Sequence, residues 1–272
     1  MASNLLLNTA SNGMSKKFII ANWKMNPESL AQVNDILDSV TDHLQALSSQ
    51  PFFLIFCPPF IFIEEVSKTL QTTSLGQRAE LGAQDIAMND DGALTGEVSG
   101  PMLVKLGVRY VIVGHSERRW KLGESDEVVN QKIRVALRSE LVPIVCLGER
   151  ARDEHYQDFL REQTKKTFKG LSSDEVAKCI IAYEPVWAIS TTPGARPDTP
   201  ESALDSVRII RDYLANSYKL TAISFLYGGS ITSANVADFL ALDEFYGTLV
   251  GGASINREEF VKILEIAARH SA

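Results

Sequence analysis

From Phe18 onward the chain alternates short apolar runs with longer amphipathic segments, and it does so eight times. The runs are FIIAN (18–22), FFLIFC (52–57), ELGAQ (80–84), YVIVG (110–114), VPIVCLG (142–148), CIIAYE (179–184), SFLYG (224–228) and TLVGG (248–252). Runs this short and apolar read as strands buried on both faces, and the segments between them are long enough for the helical crossovers that parallel strands require. Eight βα units without a linker or a break in composition predict one closed (β/α)8 barrel, a fold of about 250 residues. A chain of 272 residues, 45% of them hydrophobic, can bury so large a core. An open doubly wound sheet is the rival. It is disfavoured because no G-x-G-x-x-G follows the first run and the unusual residues gather at several run ends, not at one switch point.

The barrel domain is expected over residues 16–272, with 1–15 a disordered extension or an expression remnant. MASNLLLNTASNGMS carries a three-leucine patch but no basic start of a secretory signal. Helices are predicted from Glu28 to Leu47 (Asn26 as N-cap, Pro27 at the first helical position), from Pro200 behind Thr199, and after Asn256 with a capping-box-like Glu259.

Charge and cysteine usage exclude several functions. With 27 basic against 34 acidic residues and no Lys/Arg run longer than a pair, a phosphate-backbone track for nucleic acid is not expected. No apolar run approaches the roughly 20 residues of a membrane helix. Cys57, Cys146 and Cys179 lie in or beside apolar runs without metal-ligand spacing, which predicts buried thiols in a reducing compartment.

A barrel of this kind carries its active site at the C-terminal ends of the strands, so the residues closing each run matter most. The first run ends in Asn22-Trp23-Lys24-Met25, where Lys24 is either an anion's counter-charge or a snorkelling surface lysine. The fourth leads into Gly114-His115-Ser116-Glu117-Arg118-Arg119. A histidine at a helix start is disfavoured as imidazolium and is a candidate neutral N–H donor, though a lone histidine is more often structural. Glu117, Arg118 and Arg119 are expected to form a supporting ion-pair network. The sixth run ends on Glu184, after which Tyr183–Pro200 holds four of the ten prolines. A carboxylate base beside a neutral histidine is the equipment for moving a proton between carbons next to a carbonyl, and it needs no metal or redox cofactor. The seventh and eighth runs end in Gly228-Gly229-Ser230 and Gly251-Gly252. Each pair alone is compatible with a simple tight turn; together, at the loops where this fold cradles phosphate, they predict a phosphorylated ligand held by backbone N–H groups with Lys24 nearby.

ANWKMN (21–26), GAQD (82–85), TGEVS (95–99), VGHSERR (113–119), GESDE (123–127), AYEPVWAI (182–189), YGGS (227–230) and LVGGAS (249–254) together resemble the triosephosphate isomerase family, in this order and across essentially the whole chain. The resemblance implies a TIM barrel that interconverts D-glyceraldehyde 3-phosphate and dihydroxyacetone phosphate through an enediol(ate), a reaction of glycolysis and gluconeogenesis, in a cytoplasmic homodimer. On the matching positions, Glu184 abstracts the carbon-bound proton, His115 polarises the carbonyl, Asn22 and Lys24 stabilise the oxyanion and bind substrate, and Glu117 supports Lys24 and His115. Gly229, Ser230, Gly251 and Gly252 hold phosphate. Pro185 and Trp187 form the leading hinge of a lid running through Ser190, Thr191 and Thr192, with the Ser190 N–H reaching the phosphate. Thr95, Gly96 and Glu97 insert beside the partner's Asn22–Lys24 end.

Two positions depart from the family pattern. Ser190-Thr191-Thr192 stands where the family usually has Gly-Thr-Gly, in a longer, proline-rich lid, and Asp85 stands where it commonly has asparagine. Asp85 is expected either to pair with a nearby base or only to adjust loop packing. The longer lid keeps open a same-mechanism isomerase of a larger sugar such as a tetrulose phosphate. A non-catalytic barrel scaffold is the remaining alternative.

Overall fold

The computed structural model describes residues 16–47 and 52–270; the expectation for residues 1–15 lies outside them. Eight strands, β1 (Lys17–Asn22), β2 (Phe52–Cys57), β3 (Ala79–Ala83), β4 (Tyr110–Val113), β5 (Val142–Leu147), β6 (Ile180–Tyr183), β7 (Phe225–Tyr227) and β8 (Phe245–Val250), pair in sequence order. The parallel pairing of β8 with β1, Ala21 opposite Val250, closes the barrel. Every apolar run of the sequence falls on a strand.

Each strand buries both faces, and the period of two decides which residue goes where. Phe18, Ile20, Ile55, Tyr110, Ile112, Ile144, Ile180, Ala182, Leu226 and Leu249 pack together in one core. Their alternates, among them Ile19, Ala21, Leu54, Val111, Ile181 and Val250, pack in the larger one with Val33, Ile133, Val207 and Phe260 of the surrounding helices. The first set fills the barrel interior and the second lies beneath the helices. Continuing the interior series by one step, to the last residue of β1 and just past β6, β7 and β8, reaches Asn22, Glu184, Gly228 and Gly251. Parity alone therefore aims these residues at the mouth of the barrel.

Strand β8 begins three residues before the run read from the sequence. Gly247 interrupts the apolar pattern there with φ of +151°, and a side chain at that point would meet the Phe18 carbonyl oxygen at 1.9 Å. The helices are α1 (Leu30–Ala46), α2 (Ile63–Thr72), α3 (Gly100–Lys105), α4 (Ser116–Lys121), α5 (Asp126–Arg138), α6 (Tyr156–Thr167), α7 (Ser173–Ala177), α8 (Pro200–Tyr218), α9 (Val236–Leu240) and α10 (Arg257–His270).

Helix α8 starts at Pro200 with Thr199 as its cap, as its sequence predicts. Helix α1 corrects the sequence reading. Its N-cap is Ser29, whose hydroxyl accepts from the Gln32 N–H, while Asn26-Pro27 is a cis peptide in the loop before it. Both Asn26 and Ser29 are good cap types, and the chain's exit from the barrel mouth selects the later one. At α10, Asn256 does accept the Glu259 N–H at 3.1 Å, but the Glu259 carboxylate turns away to the Ser233 N–H at 2.6 Å. The reciprocal half of a capping box is replaced by a tie between two loops.

Candidate active site

The first strand delivers Asn22 and then turns sharply. Lys24 sits in the left-handed region with φ of +55°, a conformation that costs an ordinary residue about 1–3 kcal/mol. Three contacts fix it. Asn22 Oδ1 accepts the Lys24 N–H at 3.1 Å, Gln84 Nε2 donates to the Lys24 carbonyl at 2.9 Å, and Lys24 Nζ pairs with Glu117 Oε1 at 3.3 Å. Gln84 also donates to the Cys57 carbonyl at 2.9 Å, so the ends of β1, β2 and β3 share one side-chain amide. Gln84 lies within the GAQD motif, which by itself assigns it no role. Its signal in the sequence is its place one residue beyond β3.

His115 is the N-cap of α4, and its Nδ1 accepts the Glu117 N–H at 3.2 Å. A nitrogen that accepts from a backbone N–H carries no proton of its own, so the ring is neutral and its hydrogen is on Nε2. That Nε2 lies 2.9 Å from Glu184 Oε1. Glu184 is only 2% exposed, and its other oxygen accepts the Ser116 N–H at 2.9 Å. Burial works against the charged carboxylate, but His115, the Ser116 N–H and the charge of Lys24 outweigh it and hold the group below the usual carboxylate range. Beside it, burial and the charge of Glu184 push the Cys146 thiol well up, leaving it an inert filler of the barrel. All three cysteines are buried and unbridged, as their positions predict.

Asn22, Lys24, His115, Glu184, Ser190, Gly229, Ser230, Gly251 and Gly252 all line one cavity of about 310 Å³. Gly228 donates its N–H to the Tyr183 carbonyl at 2.7 Å, fastening β7 to β6 just below it. Above, the Ser190 N–H, assigned to phosphate by the resemblance, is engaged with Ser230 Oγ at 2.9 Å. Trp187 donates its indole N–H to Glu149 Oε1 at 3.0 Å, the same oxygen that accepts the Tyr183 hydroxyl at 2.9 Å. Pro185 precedes this short 3-10 turn, and Thr192 donates its N–H to the Ile189 carbonyl at 2.8 Å. Glu149, buried just past β5, is a member of the site's surroundings that sequence reasoning missed, although a charge directly after an apolar run marks it.

Glu117 and Thr191 face a second cavity of about 620 Å³, which also reaches Asn22, Lys24 and His115. The expected ion-pair network stands around it. Arg118 pairs with Asp85 at 2.9 Å and Glu124 at 2.7 Å, and Arg119 with Asp126 at 2.6 Å. Lys132, 3% exposed, lies 2.6 Å from Asp85 and 2.5 Å from Glu124. Asp85 thus pairs with nearby bases, the first of the two outcomes open to it; burial nonetheless raises its carboxyl above the ordinary range against the pull of Lys132 and Arg118. Thr95, Gly96 and Glu97 form an exposed turn, with the Glu97 N–H on the Leu94 carbonyl at 3.2 Å. Among the described residues no helix is long and apolar enough to cross a membrane.

The family model for triosephosphate isomerase matches residues 17–267. A triosephosphate isomerase of Thermoanaerobacter pseudethanolicus is 38% identical over 260 residues, covering 92% of this chain and 99% of that protein. One of Moorella thermoacetica is 40% identical over 256 residues, with 92% and 98% covered. The crystal structure of triosephosphate isomerase from Bartonella henselae matches with a TM-score of 0.77 at 29% identity, over 92% of this chain and 98% of that one. Sequence and fold agree across nearly the full length: the chain belongs to the triosephosphate isomerase family, and is an aldose–ketose isomerase.

Proposed function

We propose that Glu184, His115, Lys24 and Asn22 carry out the interconversion of D-glyceraldehyde 3-phosphate and dihydroxyacetone phosphate. Glu184 takes the proton from the carbon beside the carbonyl, and the C–H electron pair becomes the C=C bond of an enediolate. Its oxyanion is met by the His115 Nε2–H and the Lys24 ammonium, with Asn22 aligned beside them; His115 passes its Nε2 proton to that oxygen and takes one from the neighbouring hydroxyl, and return of the carbon proton from Glu184 to the former carbonyl carbon completes the isomerisation. The observation that carries this reading is the pairing of a buried carboxylate with a neutral imidazole N–H at 2.9 Å on the wall of a cavity that also holds a lysine and both glycine pairs. A glutamate base with a neutral histidine electrophile is the arrangement already known for this enzyme class.

At rest the carboxylate is held by its own electrophile, so substrate has to separate them. A carbonyl oxygen that takes the His115 N–H frees Glu184 Oε1, and movement away from the Ser116 N–H removes a second hold. Both changes raise the proton affinity of the base when it faces the carbon acid. Gly229, Ser230, Gly251 and Gly252 receive the phosphate, with the lid from Pro185 and Trp187 through Ser190, Thr191 and Thr192 closing over it. The reaction uses no metal and no redox cofactor. Purified protein assayed with triose and tetrulose phosphates tests the substrate, and a higher kcat/KM for the tetrulose would transfer the assignment to the larger sugar.

The chain works in this reading as one catalytic domain, residues 16–272, in the cytoplasm, where its buried thiols stay reduced. It works as a homodimer. Met25, 92% exposed, and Leu122, 67% exposed, stand on the rim of the second cavity, and the Thr95-Gly96-Glu97 turn of a partner is the segment proposed to fill it. Sedimentation at micromolar concentration is expected to give a dimer; a fully active monomer would defeat this part of the proposal.

A further inference from the structure

A further cavity lies at the end of the barrel opposite Glu184. Phe225 opens β7 and Phe245 opens β8, so the loops leading into them, 219–224 and 241–244, stand at the N-terminal pole. These loops and α8 enclose a cavity of about 370 Å³, a size usual for small-molecule sites, whose lining includes Arg211, Leu220, Ala222, Ile223, Asp243 and Glu244.

Its two charged walls are each held in place, and they do not touch. Arg211 rests over the ring of Phe225, its guanidinium carbon 5.3 Å from the ring centre, and makes no hydrogen bond or ion pair among the described residues. A guanidinium held by its face keeps its planar fork of N–H donors free. Asp243 and Glu244 form the other charged wall. The buried Lys17 clamps their loop at both ends, donating to the Leu242 carbonyl at 3.1 Å and to the Phe245 carbonyl at 2.7 Å. Neither carboxylate takes a hydrogen bond among the described residues. Elsewhere at this pole opposite charges do close on each other, Arg109 on Glu80 at 3.0 Å. Around this cavity the gap stays open.

The charges decide what fits the gap. A lone anion drawn to Arg211 would meet two carboxylates, and a lone cation drawn to the carboxylates would meet the guanidinium. A molecule that carries both charges meets neither repulsion. We propose that this cavity binds a zwitterion of amino-acid size, with its carboxylate on Arg211, its ammonium on Asp243 and Glu244, and an apolar side chain against Leu220, Ala222 and Ile223. The inference stands on this cavity and is independent of the isomerase reading.

Calorimetric titration of the whole chain with L-leucine tests it, and saturable binding is expected. N-acetyl-leucine lacks the ammonium and leucinamide lacks the carboxylate, so each should bind about tenfold more weakly or worse, the scale of one lost charge-assisted contact. Arg211→Met should abolish the preference for leucine over leucinamide. The pair Asp243→Asn and Glu244→Gln should abolish the preference for leucine over N-acetyl-leucine. An unfolding temperature like the parent's shows that a variant is intact. If Arg211→Met does not fold, Arg211→Lys keeps the charge but loses the planar fork, and leucine should bind to it several-fold more weakly. Absence of leucine binding at about 10 mM would overturn the proposal. So would equal binding of the three compounds, or leucine binding that is unchanged in the Arg211 variants.

Discussion

The floor of the site and its lid are built on different principles. On the floor, Asn22, Lys24, His115 and Glu184 stand at strand ends or at the start of α4; Lys24 is fixed from elsewhere in the chain by Gln84 and Glu117 and Glu184 by Ser116, while Glu117 holds His115 within its own turn. The proposed lid, from Pro185 to Asp198, is held by a few local turns and by ties to the barrel such as Trp187 on Glu149 and Ser190 on Ser230. A floor so over-determined holds a strained lysine and, on the proposed mechanism, a base pre-positioned against its electrophile. On the proposed mechanism, the contrast separates the part that does chemistry from the part that admits substrate.

The contrast breaks first, and by most, on the floor. Glu184→Gln keeps size and the Ser116 hydrogen bond but has no basicity, so kcat should fall by about a thousandfold or more with phosphate affinity within several-fold; near-normal turnover would eliminate Glu184 as the base. His115→Gln should lower kcat by about a hundredfold, and a change confined to KM would make it a binding residue. On the lid, removal of Thr192 to Ala195 should lower kcat/KM by about tenfold to a hundredfold and increase phosphate release, because the enediolate meets water. Unchanged rate and unchanged release would reduce the segment to a connector.

A smaller effect is expected at Ser116 on the floor. Ser116 is the first residue of α4 and follows a residue with φ −52° and ψ 142°, a backbone that accepts proline after it. Ser116→Pro deletes the N–H that Glu184 uses. The Glu184 carboxyl is depressed in the free enzyme, so the acid limb of kcat/KM should lie below the ordinary carboxylate range, with activity lost only as pH falls through that depressed value. Ser116→Pro should move the limb to higher pH. A limb that stays in place would mean that Ser116 contributes nothing to the base. Smallest of all, Ser29→Ala should cost about 1 kcal/mol in thermal unfolding through the lost α1 cap, and Asn26→Ala less; the reverse order would restore Asn26 as the cap.

Much of this was legible along the chain. The eight runs are local signals, each short enough for one pattern of apolar residues to declare a strand, and their count leaves few ways to close a parallel sheet. Glu184 and Asn22 could be placed from parity as well as from motifs, because a strand's side chains alternate whatever surrounds it. Gly247 hid the start of β8 because a glycine erases the apolar pattern in the very place where the Phe18 backbone presses closest.

What the sequence by itself determined was therefore the set of strands and the residues at their ends, since a period of two and a change from apolar to polar are properties of consecutive residues. Only the tertiary structure decided how those residues are held. Gln84 meets Lys24 across 60 positions of chain, Ser116 meets Glu184 across 68, and Lys132 meets Asp85 across 47. Such pairings depend on the register of β1 against β2, β2 against β3 and so on around the closed ring. That register is set by the packing of the whole barrel interior, so no local stretch carries it.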